Sequence, residues 1–344
     1  MVIGQNVAPQ PVRPKRTVGS ICREVFERTG GVIGAAGQVA GSLLPSTIVG
    51  ATEGLRRAKH PDQPADPKKI ALWVTAGTAA QALLPTAALG YWAAGWKGAA
   101  VALGGQGAGA ATGVIMFARG GSADLVGKGM ANDLNAALEG ETNPGKATLK
   151  GLKTGLLSGA VLNAKAGYRE GTGAFSGFIE GVRTVPESFR GAGSVKLTGS
   201  GLAKSAQVVA GAVTAGLAVP AGIVHGIVEG LGGSESYGLT RQVAYTAGGL
   251  AVTLASWPLA FGALTPALIA AGAGGAVGAV SALVAGRDSM EKVPAAVKHA
   301  QRDNKVFDDP ISDRRQKMFE GAFAGAAVAA GVGWRKGAKL LGAT

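Results

Sequence analysis

The chain has 344 residues, 58 of them glycine, and its 34 lysines and arginines outnumber its 21 aspartates and glutamates, which gives a net charge of +13. Cys22 is the single cysteine, and His60, His225 and His299 lack metal-ligand spacing, so the sequence excludes a disulfide framework and a zinc site. The basic residues are scattered among acidic ones without interleaved aromatic residues, which indicates loops near anionic lipid rather than specific nucleic-acid binding.

The first residues form a basic arm, 1–29, with prolines beside arginines and lysines. Met1 to Ser20 lacks the apolar core of a cleavable secretory signal. Membrane insertion is therefore expected to use the internal apolar runs.

Long apolar runs follow the arm. Gln242 to Gly286 covers 45 residues without one charged side chain, which suits two bilayer crossings. The other runs are Thr29–Thr52, Ile70–Trp96, Gly98–Ala118 and Ser205–Val228. Each is near or above the ~20 residues that cross a hydrocarbon layer as helix, so the sequence predicts an all-α, multi-pass membrane protein with roughly five to seven crossings.

A soluble protein with a Gly/Ala-rich core is the structural alternative, because the mean hydropathy is only +0.24. Glycine in a water-exposed helix costs about 1 kcal/mol relative to alanine. In a bilayer the backbone has no other hydrogen-bonding partner and stays helical. The glycine content therefore favours the membrane.

Two helical hairpins are predicted, with turns near Trp96–Lys97–Gly98 and near Thr265–Pro266. Pro45 and Pro220 lie in the middle of apolar runs, so their helices either span with a kink or re-enter. The localisation expected from these features is an inner or cytoplasmic membrane.

The chain looks internally duplicated. Gly155 to Gly171 aligns without a gap to Gly321 to Gly337, including Tyr168-Arg169 against Trp334-Arg335, and AGSLLP at 40–45 returns as AGLAVP at 215–220. The polar connectors Gly120–Ala147 and Asp288–Met318 carry mixed charges and are predicted to be solvated. The predicted organisation is an arm at 1–29, a first membrane repeat at 30–172, a linker at 173–204, a second membrane repeat at 205–338 and a tail at 339–344.

Glycines recur at fourfold spacing and predict zipper-like helix packing, because such residues line one helix face and let another backbone approach closely. The predicted packing residues are Gly105, Gly109, Gly113, Gly151, Gly155, Gly159, Gly222, Gly226, Gly230, Gly274 and Gly278. The same stripes suit oligomerisation or a pore wall, and spacing alone does not separate contacts within a chain from contacts between chains.

Two strings imitate nucleotide-binding loops. Gly140 to Thr148 nearly spells a phosphate loop, but Ala147 stands where a hydroxyl should bind magnesium, so a turn that opens the next helix is favoured. Gly105-Gln106-Gly107 lacks the alternating strands and helices of a dinucleotide fold. No cofactor and no enzymatic activity are expected.

Intramembrane charge is scarce. Ion-coupled transporters keep costly ionisable residues in their membrane segments, and the near absence of such residues argues against coupled transport. His225 is the titratable residue of its apolar run, and it is either a buried hydrogen-bonding residue or a candidate polar pore residue.

One family resemblance is present. The stretch Gly30-Gly31 with Gly50-Ala51-Thr52-Glu53-Gly54-Leu55-Arg56-Arg57-Ala58, and the stretch Asn143-Pro144 followed by GLLSGAVLNAKAG and GAFSGFIEGV, resemble the glycine-zipper helices of the mitochondrial inner-membrane protein-translocase channel family. The resemblance implies small-residue helices gathered around a path for polypeptides. The chain departs from that family in its extra apolar hairpin and in the arginine–aspartate signature ahead of the third helix.

The leading functional prediction is a non-enzymatic membrane protein that forms or lines an oligomeric pore through glycine-zipper packing. Its expected partners are the lipid bilayer and further copies or other membrane subunits. The alternatives are a membrane-shaping or scaffolding protein without a conduit, and a soluble or virion-packaged protein that inserts into a membrane on delivery.

Overall fold

The computed structural model describes residues 18–78, 96, 121–232, 238–260, 264–302 and 307–344, and the regular secondary structure in these ranges is α-helical. The all-α fold class is therefore confirmed for the described chain. The helices are α1 (Val18–Lys59), α2 (described over 67–78), α3 (Ser122–Ala137), α4 (Pro144–Gly193), α5 (Gly201–Gly230), α6 (Leu239–Ala260), α7 (Leu264–Arg302) and α8 (Pro310–Leu340).

Three described helices are long and apolar enough to cross a membrane, over Gly19–Lys59, Gly201–Gly230 and Ile269–Arg302. In each, a third or less of the most apolar window is buried inside the protein. The larger part of the apolar surface of these helices therefore faces outward. The total number of crossings stays a prediction, because the search covers the described residues alone.

Helices α4 and α8 begin in the same way. The side chain of Asn143 accepts a hydrogen bond from the backbone N–H of Lys146 at 3.1 Å, and that of Asp309 accepts one from Ser312 at 2.9 Å. A proline follows each cap, where its missing N–H costs nothing. The capping residue and the proline after it therefore determine where each helix begins.

Helix α1 and the first half of α4 form an antiparallel pair whose contact, the first seam, is lined by small residues. Gly30 lies against Gly171 at one end, and Gly54 lies against Ala147 at the other. A side chain added at either glycine would overlap the opposite backbone, so the two helices are in direct backbone contact. The remaining close pairs are Gly34 with Gly167, Gly50 with Gly151 and Gly155, and Ser46 with Gly159.

Helices α5 and α8 form a second antiparallel pair with the same construction, here called the second seam. Gly230 lies against the carbonyl of Lys317, and at the other end Gly337 lies against that of Ala210. The pairs between them are Gly226 with Gly321, Gly222 with Gly325, and Gly333 with Thr214.

The second half of α4 runs on beyond the first seam and packs in parallel against α8. Gly173 lies against Ser312, and Gly193 lies against Gly331. The 50 residues of α4 form one helix, which corresponds to about 75 Å at about 1.5 Å per residue. The two seams are therefore stacked one after the other along α4.

This arrangement changes the predicted boundaries. Residues 173–193, predicted as the start of a linker, are helical and packed, so the connection between the repeats shrinks to 194–200. The predicted arm is helical from Val18 onward, and 1–17 lie outside the described residues. The predicted tail is fixed, because Lys196 and Thr344 exchange backbone hydrogen bonds of 2.7 and 3.0 Å.

Helices α6 and α7 form an antiparallel hairpin in which Gly274 lies against Leu250 and Gly278 against Thr246. Helix α6 ends at Ala260 and α7 begins at Leu264, so Thr265–Pro266 open α7 rather than form the turn. Proline suits a first helical turn, which explains the difference of a few residues. At the other predicted turn Trp96 is helical, and Lys97 and Gly98 lie outside the described residues.

Helix α7 is broken at Gly286, whose φ of 58° and ψ of −167° are not helical. The ammonium of Lys336 donates hydrogen bonds to the carbonyls of Val284 at 3.0 Å and Ala285 at 3.4 Å. A cation there satisfies the last carbonyls of the first segment and complements the helix dipole.

The segment after the break returns along α8. Asp288 pairs with Arg335 late in α8 at 3.0 Å, whereas Gln301 borders the same cavity as Asp313 at the start of α8. The candidate span Ile269–Arg302 therefore consists of two segments that run in different directions.

The two polar connectors are amphipathic rather than solvated throughout. Helix α3 buries Val126, Met130 and Leu134, and the returning segment of α7 buries Val293 and Val297. The prediction of solvated connectors is therefore wrong for one face of each helix, because apolar residues three to four apart gather on one side. Only the opposite faces carry exposed charge.

Candidate functional site at the junction between the seams

The junction between the two seams contains an interhelical ion pair. The carboxylate of Glu170 on α4 lies 3.0 Å from the guanidinium of Arg315 on α8, and the two side chains are 13% and 14% exposed. Glu170 also accepts hydrogen bonds from the hydroxyl of Ser122 at 2.5 Å and from the amide of Gln38 at 3.4 Å. One carboxylate therefore ties α1, α3, α4 and α8 together.

The neighbouring residue of α4 makes a second link to α8. The guanidinium of Arg169 lies 2.6 Å from the carboxylate of Asp309, and the hydroxyl of Ser312 donates to the carbonyl of Arg169 at 3.0 Å. Asp309 is also the N-cap of α8. The start of α8 is therefore positioned by the middle of α4.

A third charged group joins the beginning of α1 to the second half of α4. Arg23 pairs with Glu27 at 2.8 Å and with Glu180, and it donates to the hydroxyl of Ser176 at 2.9 Å. Arg183 also lies 3.2 Å from Glu180. Together with Arg169, Glu170, Asp309 and Arg315, these residues form the charged belt of the molecule.

Two cavities adjoin this belt. The first measures about 520 Å³ and combines bare glycine backbone with the Glu170–Arg315 pair; it is lined by Gly34, Gly37, Gln38, Thr78, Gly167, Glu170, Gly171, Ala174, Arg315, Met318 and Phe319. The second measures about 640 Å³ and is lined by Glu229, Gly230, Leu231, Gly232, Gln301, Asp313, Arg314 and Lys317. Both mix acidic and basic groups, which indicates hydrated pockets rather than sites for one charge type.

His225, the candidate polar pore residue, is buried at 2% exposure on α5. Gln242 and Thr246 on α6 are also buried polar residues, at 0% and 1%. Within one chain, the His225 side chain is therefore enclosed among helices rather than presented to a surface.

The predicted glycine stripes have partners in the same chain wherever they are described. Gly151, Gly155 and Gly159 face α1; Gly222, Gly226 and Gly230 face α8; Gly274 and Gly278 face α6. Gly105, Gly109 and Gly113 lie outside the described residues. Each described stripe therefore packs against another helix of the same chain.

The phosphate-loop-like string is a helix start. Gly140 has a φ of 68°, and Asn143 caps α4. Lys150 lies 2.8 Å from the carboxylate of Glu141, and its hydrogen bond lowers the pKa of that group. The predicted turn that opens the next helix is confirmed, whereas the dinucleotide-like string at 105–107 lies outside the described residues.

Sequence reasoning missed the junction and half of the first seam. Glu170 and Arg315 are 145 positions apart in the chain, so no local signal links them. On α1, a small or polar residue at every fourth position from 30 to 54 is the signal that was present, but it includes Gln38, Ser42 and Ser46 as well as glycine.

No family model matches the chain, and no match is found among curated proteins or solved structures. Across the described ranges, no group of three or more His, Cys, Asp or Glu side chains is placed to hold a metal ion. Geometry and charge distribution therefore provide the basis for a functional proposal.

Proposed function

We propose that the chain is a non-enzymatic integral membrane protein whose polar side lines a water-filled conduit built from several copies. One observation carries this proposal: at one level of the molecule, α1 exposes a large apolar side chain on one side of the first seam, and α4 exposes a lysine on the other.

The cross-section at the middle of the first seam shows this contrast. Gly34 lies against Gly167, so Ile33 on α1 and Lys165 on α4 are at nearly the same level. Ile33 is 59% exposed, and Lys165 is exposed as well. Residues two positions apart point about 200° away from each other at 3.6 residues per turn, so Lys165 faces away from the seam formed by Gly167.

Lipid suits only one of these sides. Ile33, Leu44 and Ile48 give α1 an outer surface typical of lipid contact, with exposures of 59%, 53% and 53%. A lysine in the middle of a hydrocarbon layer costs about 2.5–3.5 kcal/mol or more. Lys150, Lys153 and Lys165, all exposed on α4, therefore need water at the same depth, and a ring of copies with α4 turned inward supplies it.

The test is thiol accessibility in liposomes. In a Cys22→Ser background, Lys165→Cys is expected to react with a membrane-impermeant, charged thiol reagent, whereas Ile33→Cys is expected to be protected. Both cysteines should react after the vesicles are dissolved in denaturant. Equal reactivity of the two positions in intact liposomes would refute the proposed lipid-facing and water-facing sides.

A scaffold that lies along one leaflet is the second candidate, and helix length favours it. The 42 residues of α1 correspond to about 63 Å, roughly twice the ~30 Å hydrocarbon core. Release of an entrapped small dye separates the two candidates. A conduit releases the dye from vesicles that contain the protein, and a flat scaffold keeps it inside.

Internal duplication is part of this proposal. Both seams are antiparallel, and Gly121 before α3 and Gly286 before the returning segment of α7 have positive φ values of 86° and 58°. The match is not uniform. Gly155 lies against the carbonyl of Ser46, next to Pro45, whereas the equivalent Gly321 lies against that of Gly226, six residues from Pro220. The resemblance to translocase channels stays a prediction.

A further inference from the structure

The apolar surfaces of the two halves occupy different levels along α4. The first tier is the outer surface of α1 around the uncharged stretch 29–52, with exposed Ile33 and Leu44. The second tier is the outer surface of α5, where Val209 is 62% and Val213 57% exposed.

The contacts give the separation of the tiers. Asn163 on α4 reaches Ser46 in the first tier, with 3.5 Å between the amide nitrogen and the hydroxyl oxygen. In the second tier, Thr214 lies against Gly333, and two residues earlier in α8 Gly331 lies against Gly193 of α4. From Asn163 to Gly193 is about 30 residues, or about 45 Å along the helix at about 1.5 Å per residue.

The charged belt lies between these two levels. Arg169, Glu170, Glu180 and Arg183 of α4 fall between Asn163 and Gly193, and their partners on α1 and α8 are at the same height. Basic residues mark both outer ends. The exposed ones include Lys59 and Lys146 at the first end, and Lys196, Lys204 and Lys339 at the second.

A bilayer has a hydrocarbon core of about 30 Å and a total thickness of about 40–45 Å with headgroups. Two levels about 45 Å apart therefore do not share one hydrocarbon layer when α4 stands upright. Two bilayers with touching headgroups have centres about 40–45 Å apart, which matches the tiers, and they place the belt in the headgroup region between them.

We infer that the protein joins two closely apposed lipid bilayers, with the first tier in one bilayer and the second tier in the other. This inference rests on the proposed function for membrane insertion and adds a second membrane to it. Basic residues at both ends are suited to the anionic headgroups of the two outer surfaces.

Laying α4 in the plane of one bilayer would also bring both tiers to lipid. That orientation moves the belt to the depth of the tiers unless every polar group is on the water side. If α4 lies in the plane of one bilayer, the vesicles stay unpaired, and Ile33→Cys and Val213→Cys are both protected from the thiol reagent.

The experiment reconstitutes the full chain with lipid from detergent and images the vesicles by electron cryomicroscopy. Paired bilayers are expected with centres about 45 Å apart, and Ile33→Cys and Val213→Cys should each be protected from the impermeant thiol reagent. The double change Val209→Glu and Val213→Glu should abolish pairing while Ile33→Cys stays protected.

Arg190→Glu, an exposed charge change in the second half of α4, is the matched control and should retain pairing. The inference would be overturned if the vesicles stay unpaired while both cysteines are protected. It would also be overturned if Val213→Cys reacts with the reagent in the Cys22→Ser background. Lys165→Cys labelling and dye release test the conduit separately, so a conduit in single vesicles would leave the proposed function standing while removing the second membrane.

Discussion

Gly226→Leu is expected to open the second seam and to lower the free energy of unfolding in detergent by about 3 kcal/mol, near the upper end of overpacking costs. A Cβ atom at Gly226 alone would overlap the carbonyl oxygen of Gly321 and would lie 3.1 Å from the Cα of Gly325. Both obstacles are backbone, so no rotamer change relieves them. The midpoint of SDS-induced unfolding, followed by circular dichroism, measures the loss.

Gly216→Leu is the matched control, because Gly216 is on the same helix and has nothing within 4 Å of an added Cβ. Its effect is expected to be near neutral, because no atom has to move to admit the added side chain. If both leucines lower stability equally, hydrophobic bulk on α5 rather than closure of the seam is responsible, and the packing account fails.

The glycine stripes show what sequence can and cannot predict. Fourfold spacing at Gly151–Gly159 and Gly222–Gly230 identifies a helix face that another backbone can approach. It does not identify the partner, because every stripe of small residues offers the same flat surface. The partner is determined by the loops that connect the helices and by a matching stripe of small residues on the other helix. Both require the positions of α1 and α5 to be known first.

The first seam was only half predicted because its α1 side is not purely glycine. Ser42 and Ser46 are 1% and 0% exposed, and they continue the spacing that Gly34 begins and Gly50 resumes. A buried helical serine can hydrogen-bond its own backbone, as Ser42 does with the carbonyl of Gln38 at 2.6 Å. Small size rather than glycine identity therefore defines the seam.

The second half of α4, which is predicted as part of a linker, carries the charged residues Glu180 and Arg183. The structure places Glu180 at 8% exposure, paired with Arg23 of α1. Gly173, Gly177 and Gly181 extend the same fourfold spacing against α8. Sequence charge alone does not distinguish a solvated segment from one whose charges are neutralised by a distant helix.

The levels of the two tiers are also beyond sequence reasoning. They depend on one register, that of α4 against α8, which is set by contacts such as Gly173 with Ser312 and Arg169 with Asp309. Shifting that register by one turn would move the second tier by about 5.4 Å. Long-range contacts, not local propensity, therefore determine whether the apolar surfaces match one membrane or two.

Arg315→Met is expected to lower the free energy of unfolding by about 3 kcal/mol, because it leaves the carboxylate of Glu170 mostly buried without its ion-pair partner. The remaining hydrogen bonds from Ser122 and Gln38 do not neutralise that charge. Lys317→Met is the control on the same helix. Its pair with Asp313 is an i, i+4 contact with the lysine side chain 44% exposed, so the expected loss is below about 0.5 kcal/mol.

Combining Arg315→Met with Glu170→Gln should restore much of the lost stability, because the neutral amide keeps polar contact with Ser122 and Gln38 and no buried charge is left unpaired. The SDS-unfolding midpoints of the two single variants and the double variant form a complete cycle. A coupling energy above about 1 kcal/mol would establish that the junction is held by this pair. Additive losses would mean that Glu170 and Arg315 act independently, and the junction would then depend on the Arg169–Asp309 pair and on the glycine contacts of α4 with α8.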